Sequence, residues 1–153
     1  MRIDFYHLQR STLDQVLPLL LEKAYQSKAR VLVRTSLSDR AEYLNSLLWT
    51  YAPDKWLPHG TEKDDFSEEQ PIFIASDHKN PNKATIVVLT EGGSLSDITG
   101  FDRCLNIFNG ADESELAKAR ALWKQAKEEG NSLNYWQQND LGQWESKLQT
   151  GQS

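Results

Sequence analysis

A single cysteine, Cys104, is all this sequence offers toward sulfur chemistry. That excludes an internal disulfide and a cysteine-built zinc site, and it fits a reducing cytosol. The three histidines, His7, His59 and His78, stand apart without metal-ligand spacing, so no metal is expected. No apolar run approaches the roughly 20 residues that cross a bilayer. The opening MRIDFYHLQR also lacks the apolar core of a secretory signal, so the expected compartment is the cytoplasm, with no membrane contact. Positive charge is scarce. Seventeen Lys and Arg face twenty-two Asp and Glu, a net charge of −5, which argues against broad nonspecific nucleic-acid binding because phosphate neutralisation needs clustered cations.

Phosphate chemistry is equally thin. No G-x-x-x-x-G-K-[ST] follows a strand, no G-x-G-x-x-G follows the first strand, and EGGSLSD (91–97) carries no lysine to reach a phosphate. His59 has no serine or cysteine at readable spacing to activate. The paired acids Asp64–Asp65 and Glu68–Glu69 lie in a polar stretch, where solvated charge is the simpler explanation. No catalytic residue and no cofactor is expected, and an enzyme is the minority reading.

What is present is an ordinary globular composition, 39% hydrophobic and 25% charged, enough for one domain over residues 1–153 with its last few residues disordered. Arg2–Leu8 alternates Ile3, Phe5 and His7 against Asp4 and Tyr6, the pattern of a strand. Ser11 or Thr12 caps a helix to about Lys28, with Leu13, Val16, Leu17, Leu20 and Ala24 inward; Pro18 either kinks it or marks a late start. Ala29–Thr35 is a second strand. LSDRAEYLNSLLWTY, opening at Ser36 or Ser38, is a second helix with Ala41, Leu44, Leu47 and Leu48 inward. Two strand–helix units in succession argue for right-handed crossovers and a mostly parallel sheet.

Residues 49–60 (WTYAPDKWLPHG) read as a stiff aromatic connection, and residues 61–70 as an acidic, mobile loop. Pro71–Ser76 and Thr85–Leu89 are continuous apolar runs, as in strands covered on both faces. A helical turn is expected at Leu95–Ile98 and a further strand at Arg103–Phe108. The fold class is therefore α/β, a single-domain three-layer arrangement around a mostly parallel sheet.

The organising stretch runs from Asp112 to Trp144. Asp112 with Glu115 three residues on is a helix-start signature, and Gly130 is a natural stop. Leu116, Ala119, Trp123 and Ala126 share one face, beside a cationic stripe of Arg120, Lys124 and Lys127. The plain reading is a core helix with a solvated charged face. The sharper one is a cradle in which Trp123 holds an aromatic anchor and the cations hold its carboxylates.

The order and spacing of these stretches resemble the chi subunit family of bacterial DNA polymerase III, over nearly the whole chain. The likeness is carried by the FYHL-type opening strand, by KARVLVRTSLSDRAEYLNSLLW, by a W-x-x-x-P-x-x-[FW]-x-P-H segment (Trp49, Pro53, Trp56, Pro58 and His59), and by ARALWKQAKEEGNSLNYWQQ. The resemblance implies a non-catalytic adaptor of the clamp loader, with a sheet like a nucleotide-binding fold that has lost its nucleotide site. It implies two partners: the psi subunit, and the acidic C-terminal tail of the single-stranded-DNA-binding protein, ending in proline–phenylalanine with a free carboxylate. Nucleic acid is then met only indirectly, and a repair helicase is a further partner left open.

By the same resemblance Arg120 matches the tail-binding arginine, Trp123 the aromatic residue one turn on and Lys124 a family lysine. Trp49 and Trp56 match the aromatic positions of the pocket's other wall. One departure stands out: Leu116 occupies the place of a lysine found in some members, and Lys127 is the candidate to replace its charge. For psi, an apolar patch of Phe101, Cys104, Leu105 and Phe108 is the candidate, against the alternative that these four are ordinary core. Tyr135 and Trp136 are expected to pack the C-terminal segment on the helix. Two other classes stay in view: a small nucleotide-binding enzyme, and a protein that binds single-stranded DNA directly through tryptophans and the cationic stripe.

Overall fold

The structure, a computed structural model, describes residues 1–52, 54, 57–64, 67–77, 79–91 and 95–149. Eight strands and four α-helices occur among them, an α/β fold with mostly parallel pairing as anticipated. They group into two compact units, Asp14–Val88 and Met1–Leu13 with Leu89–Ser153.

In the first unit the strand order is β3 (Gly60–Thr61), β4 (Ile72–Ala75), β2 (Val31–Arg34), β5 (Ile86–Leu89), with β4 parallel to both of its neighbours. Every residue of β2, β4 and β5 is buried, as the unbroken apolar runs required. Helix α1 (Leu13–Gln26) contains Pro18 in its interior, buried, and neither starts late nor stops there. Its inward face is Val16, Leu17, Leu21 and Ala24; Leu20 is only half-buried, one position off the expected stripe. Helix α2 (Ser38–Thr50) buries Ala41, Leu44 and Leu48.

The acidic segment after α2 departs from the expected loop. Gly60–Thr61 pairs with Phe73–Ile74 as an edge strand, Thr61 is buried, and the Asp64 carboxylate takes the Thr61 N–H at 2.8 Å. A helical turn follows at Ser67–Glu69. Local acceptor geometry, invisible to a count of charges, organises this stretch. His59 is buried here too, with Nδ1 2.6 Å from the Leu57 carbonyl and Nε2 3.2 Å from that of Asn45. It ties the connection to α2.

In the second unit the order is β6 (Arg103–Asn109), β1 (Arg2–Leu8), β7 (Ser132–Gln138), β8 (Trp144–Gln149). β1 runs parallel to β6 and β7, and β8 closes the edge antiparallel to β7. The simple alternation expected of β1 gives way to burial on both faces. Asp4 is fully buried, accepting from Asn134 Nδ2 (3.0 Å), Trp136 Nε1 (3.3 Å), Arg2 Nε (3.3 Å) and the Arg103 guanidinium (2.8 Å). A buried carboxylate persists only with such a set of donors. α3 (Leu95–Ile98) is a single turn. Gly92 and Gly93, where the sequence leads one to expect a turn, and residues 150–153, expected to be disordered, lie outside the described residues.

Helix α4 (Glu113–Glu128) is built as its ends promised. The Asp112 carboxylate takes the N–H groups of Ser114 (2.9 Å) and Glu115 (3.1 Å). The Glu115 carboxylate takes the Asn109 N–H at 3.2 Å, further back along the chain than the Asp112 N–H of a reciprocal cap. At the other end Gly130 adopts φ +84°, Asn131 N–H returns to the Ala126 carbonyl and Gly130 N–H to that of Lys127, a Schellman closure. The buried face is Ala119, Leu122 and Ala126, with Trp123 half-buried.

Candidate functional site

Three elements of the second unit meet around an open groove of about 330 Å³, lined by Phe108 of β6, Ala119, Arg120 and Trp123 of α4, and Tyr135 of β7. The parallel register explains the meeting. β1 places Phe5 beside Asn106 and Tyr135, and His7 beside Phe108 and Gln137, so one face of three strands presents its rings together. Phe5 meets the Trp123 ring edge-on at 5.1 Å, and Trp123 meets Tyr135 at 5.9 Å. Phe108 lies 6.2 Å from Tyr135. Such edge-to-face rings hold one another in place and leave an apolar slot.

Arg120 is the polar element of that slot. It is exposed, and among the described residues no carboxylate pairs with it. Its charge is felt inside the cluster: with burial first and Arg120 second, the His7 imidazole is held below its ordinary value of 6.5. Burial raises the Tyr135 phenol, while Arg120 pulls the other way. An unpaired guanidinium at the mouth of an aromatic slot can hold a carboxylate whose attached side chain fills the slot.

The expected residues distribute unevenly. Arg120 and Trp123 do come together in the groove. Lys124 and Lys127 are exposed on α4, and Leu116 is half-buried; none of the three lines it. Trp49 belongs to the other unit, 53% exposed at the end of α2, with its ring 4.6 Å from His59. Trp56 lies outside the described residues. Phe101, Cys104, Leu105 and Phe108, the patch considered for psi, are all buried, so the core alternative is the one their burial favours. Phe108 in addition floors the groove.

Tyr135 is no simple packing residue: it forms a wall of the groove, and its hydroxyl is 2.6 Å from His7 Nδ1. Trp136, its neighbour on the strand, faces away toward Asp4 and stacks on Tyr6 at 6.3 Å. The groove contribution of Tyr135 and Phe108, and the place of His7 behind them, were not legible in the sequence. Among the described residues no cluster of three His, Cys, Asp or Glu could hold a metal, and no helix is long and apolar enough to cross a membrane.

Comparison with known proteins bears on this geometry. A family model described as DNA polymerase III chi subunit, HolC, matches residues 1–134. A probable DNA polymerase III subunit chi of Rickettsia prowazekii (strain Madrid E) is 28% identical over 149 residues, covering 94% of this chain and 90% of that protein. Among solved structures, the C-terminal part of the Fun30 ATPase domain aligns with TM-score 0.50 at 14% identity, over 71% of this chain and 44% of that one. At that identity the likeness concerns the fold alone, and it agrees with a nucleotide-binding-like sheet. The chain belongs to the DNA polymerase III chi subunit family, an accessory and non-catalytic component of DNA replication that associates with other parts of the polymerase.

Proposed function

We propose that this protein is the clamp-loader adaptor that grips the acidic C-terminal tail of the single-stranded-DNA-binding protein, and that the groove of Phe108, Ala119, Arg120, Trp123 and Tyr135 is the grip. The observation that carries this is the exposed Arg120 guanidinium on an aromatic slot, with no carboxylate paired to it among the described residues. A terminal phenylalanine enters the slot, its carboxylate takes the guanidinium, and the preceding aspartates meet the exposed Lys124 and Lys127 on the same helix. The psi subunit is proposed as the second partner, on a surface other than the buried Phe101, Cys104 and Leu105. Two linked contacts would hold the replicase near coated single strand by raising effective concentration.

Fluorescence titration with a tail peptide tests the grip. Arg120→Ala should weaken binding by about 1.5–3 kcal/mol, the range for hydrogen bonds to a charged partner. A peptide lacking its last phenylalanine should lose most of its affinity. Unchanged affinity in Arg120→Ala removes the arginine from the site. Trp49→Ala and Trp56→Ala, titrated alongside, read whether the tryptophans that the family resemblance singles out contribute.

A further inference from the structure

Directly behind the groove lining lies a histidine that the proposed grip does not use. The His7 ring packs 5.0 Å from Phe108 and edge-on 5.8 Å from Tyr135. Gly110 closes the far side: a Cβ there would fall 1.8 Å from His7 Nε2. Two groups converge on the other nitrogen, the Tyr135 hydroxyl at 2.6 Å and Gln137 Nε2 at 3.2 Å. Both can donate, so Nδ1 accepts, and the neutral ring carries its proton on Nε2.

The titratable groups on the elements packed around His7 are few. α4 brings Arg120 and, in its first turn, Glu115, whose carboxylate is engaged by the Asn109 N–H. β7 brings the Tyr135 phenol, and β6 presents the apolar Phe108. Burial first, and the like charge of Arg120 second, disfavour a proton on His7 and hold the imidazole below its ordinary value.

We propose that the groove is a proton-linked anion receptor, in which a carboxylate seated on Arg120 draws a proton onto His7. The ligand offsets the Arg120 share of what disfavours a proton on the ring and adds an attraction of its own. The incoming proton binds Nδ1, which turns from acceptor to donor toward the Tyr135 oxygen. That oxygen keeps its own proton, now free to donate to another acceptor. By linkage, uptake of a proton on binding means that the ligand binds more tightly as the pH falls. This inference rests on the proposed reading of the groove but can fail separately from it.

The test follows the His7 imidazole by NMR across pH 5 to 8 in the full chain, using His7→Gln to assign the signal. Arg120→Ala should raise the His7 midpoint without any ligand; an unmoved midpoint overturns the coupling. Saturation with an acidic peptide ending in phenylalanine should raise it by about half to one unit, so the peptide binds tighter at pH 5.5 than at pH 8, by a factor whose upper bound is roughly three- to tenfold. The peptide's own carboxylates stay ionised over nearly all of this range. His7→Gln should flatten the profile, whatever its absolute affinity. A wild-type protein that binds the peptide equally at both ends refutes the inference while leaving the tail grip standing. Absence of binding at any pH refutes the tail grip, and the Arg120→Ala comparison alone then decides the coupling.

Discussion

At Gly110 the missing side chain is a structural requirement. The His7 ring occupies the space where a Cβ would go, 1.8 Å from Nε2, and the ring is itself hemmed by Phe108 and Tyr135. Gly110→Ala must therefore displace the imidazole, and through it the Tyr135 hydroxyl. Overpacking of this kind costs about 1–3 kcal/mol, so denaturant unfolding should show a loss of that size. Tail affinity should fall along with it, because the wall of the groove moves. None of this was legible locally: His7 and Tyr135 are 128 positions apart, and only the register of β1 with β7 brings them together. Asp4 teaches the same lesson. Alternation only set it on the face opposite Ile3 and Phe5, and four donors from β1, β6 and β7 make it a buried hub.

Among the elements, α4 was the most readable, since its start and stop depend on neighbours in sequence. The Asp112 cap and the left-handed Gly130 are local chemistry, and both stand where the residues indicated. Asp112→Ala should cost about 1 kcal/mol of stability, measurable as a lower denaturation midpoint with unchanged cooperativity. The strands β7 and β8 were missed for the opposite reason. SLNYWQQ and WESKLQ are half polar, and nothing within them insists on extension. β7 is a strand because β1 offers it a parallel edge, and because Leu133 and Tyr135 find rings and aliphatic groups on the α4 side. The edge strand at Gly60–Thr61 is a smaller case of the same dependence on a partner.

For the whole molecule, the two compact units are proposed to fold together as one domain over residues 1–153. Calorimetry should then show a single transition whose van't Hoff and calorimetric enthalpies agree, and two resolved transitions would count against it. The family assignment concerns the whole chain as well: it rests on matches over residues 1–134 and 149 aligned positions, and no single motif carries it. Because the proposed tail contacts are surface ion pairs around one apolar anchor, affinity should fall as salt rises from about 0.05 to 0.3 M and then level off. The apolar slot is indifferent to screening and sets the floor.

Composition and periodicity, taken alone, determined the α/β class, the buried strands and the capped helix with Arg120 and Trp123, while the family came from the resemblance of whole stretches in their order. Each of these depends on contacts a few residues apart or on a pattern summed along the chain. Which rings join Arg120 and Trp123 was decided only by the tertiary structure. Phe108 left the candidate psi patch for the groove floor, Tyr135 became a wall, and His7 came to stand behind both. The physical reason is register: pairing β1 between β6 and β7 selects the residues that share a face, and no local stretch of the chain contains that choice.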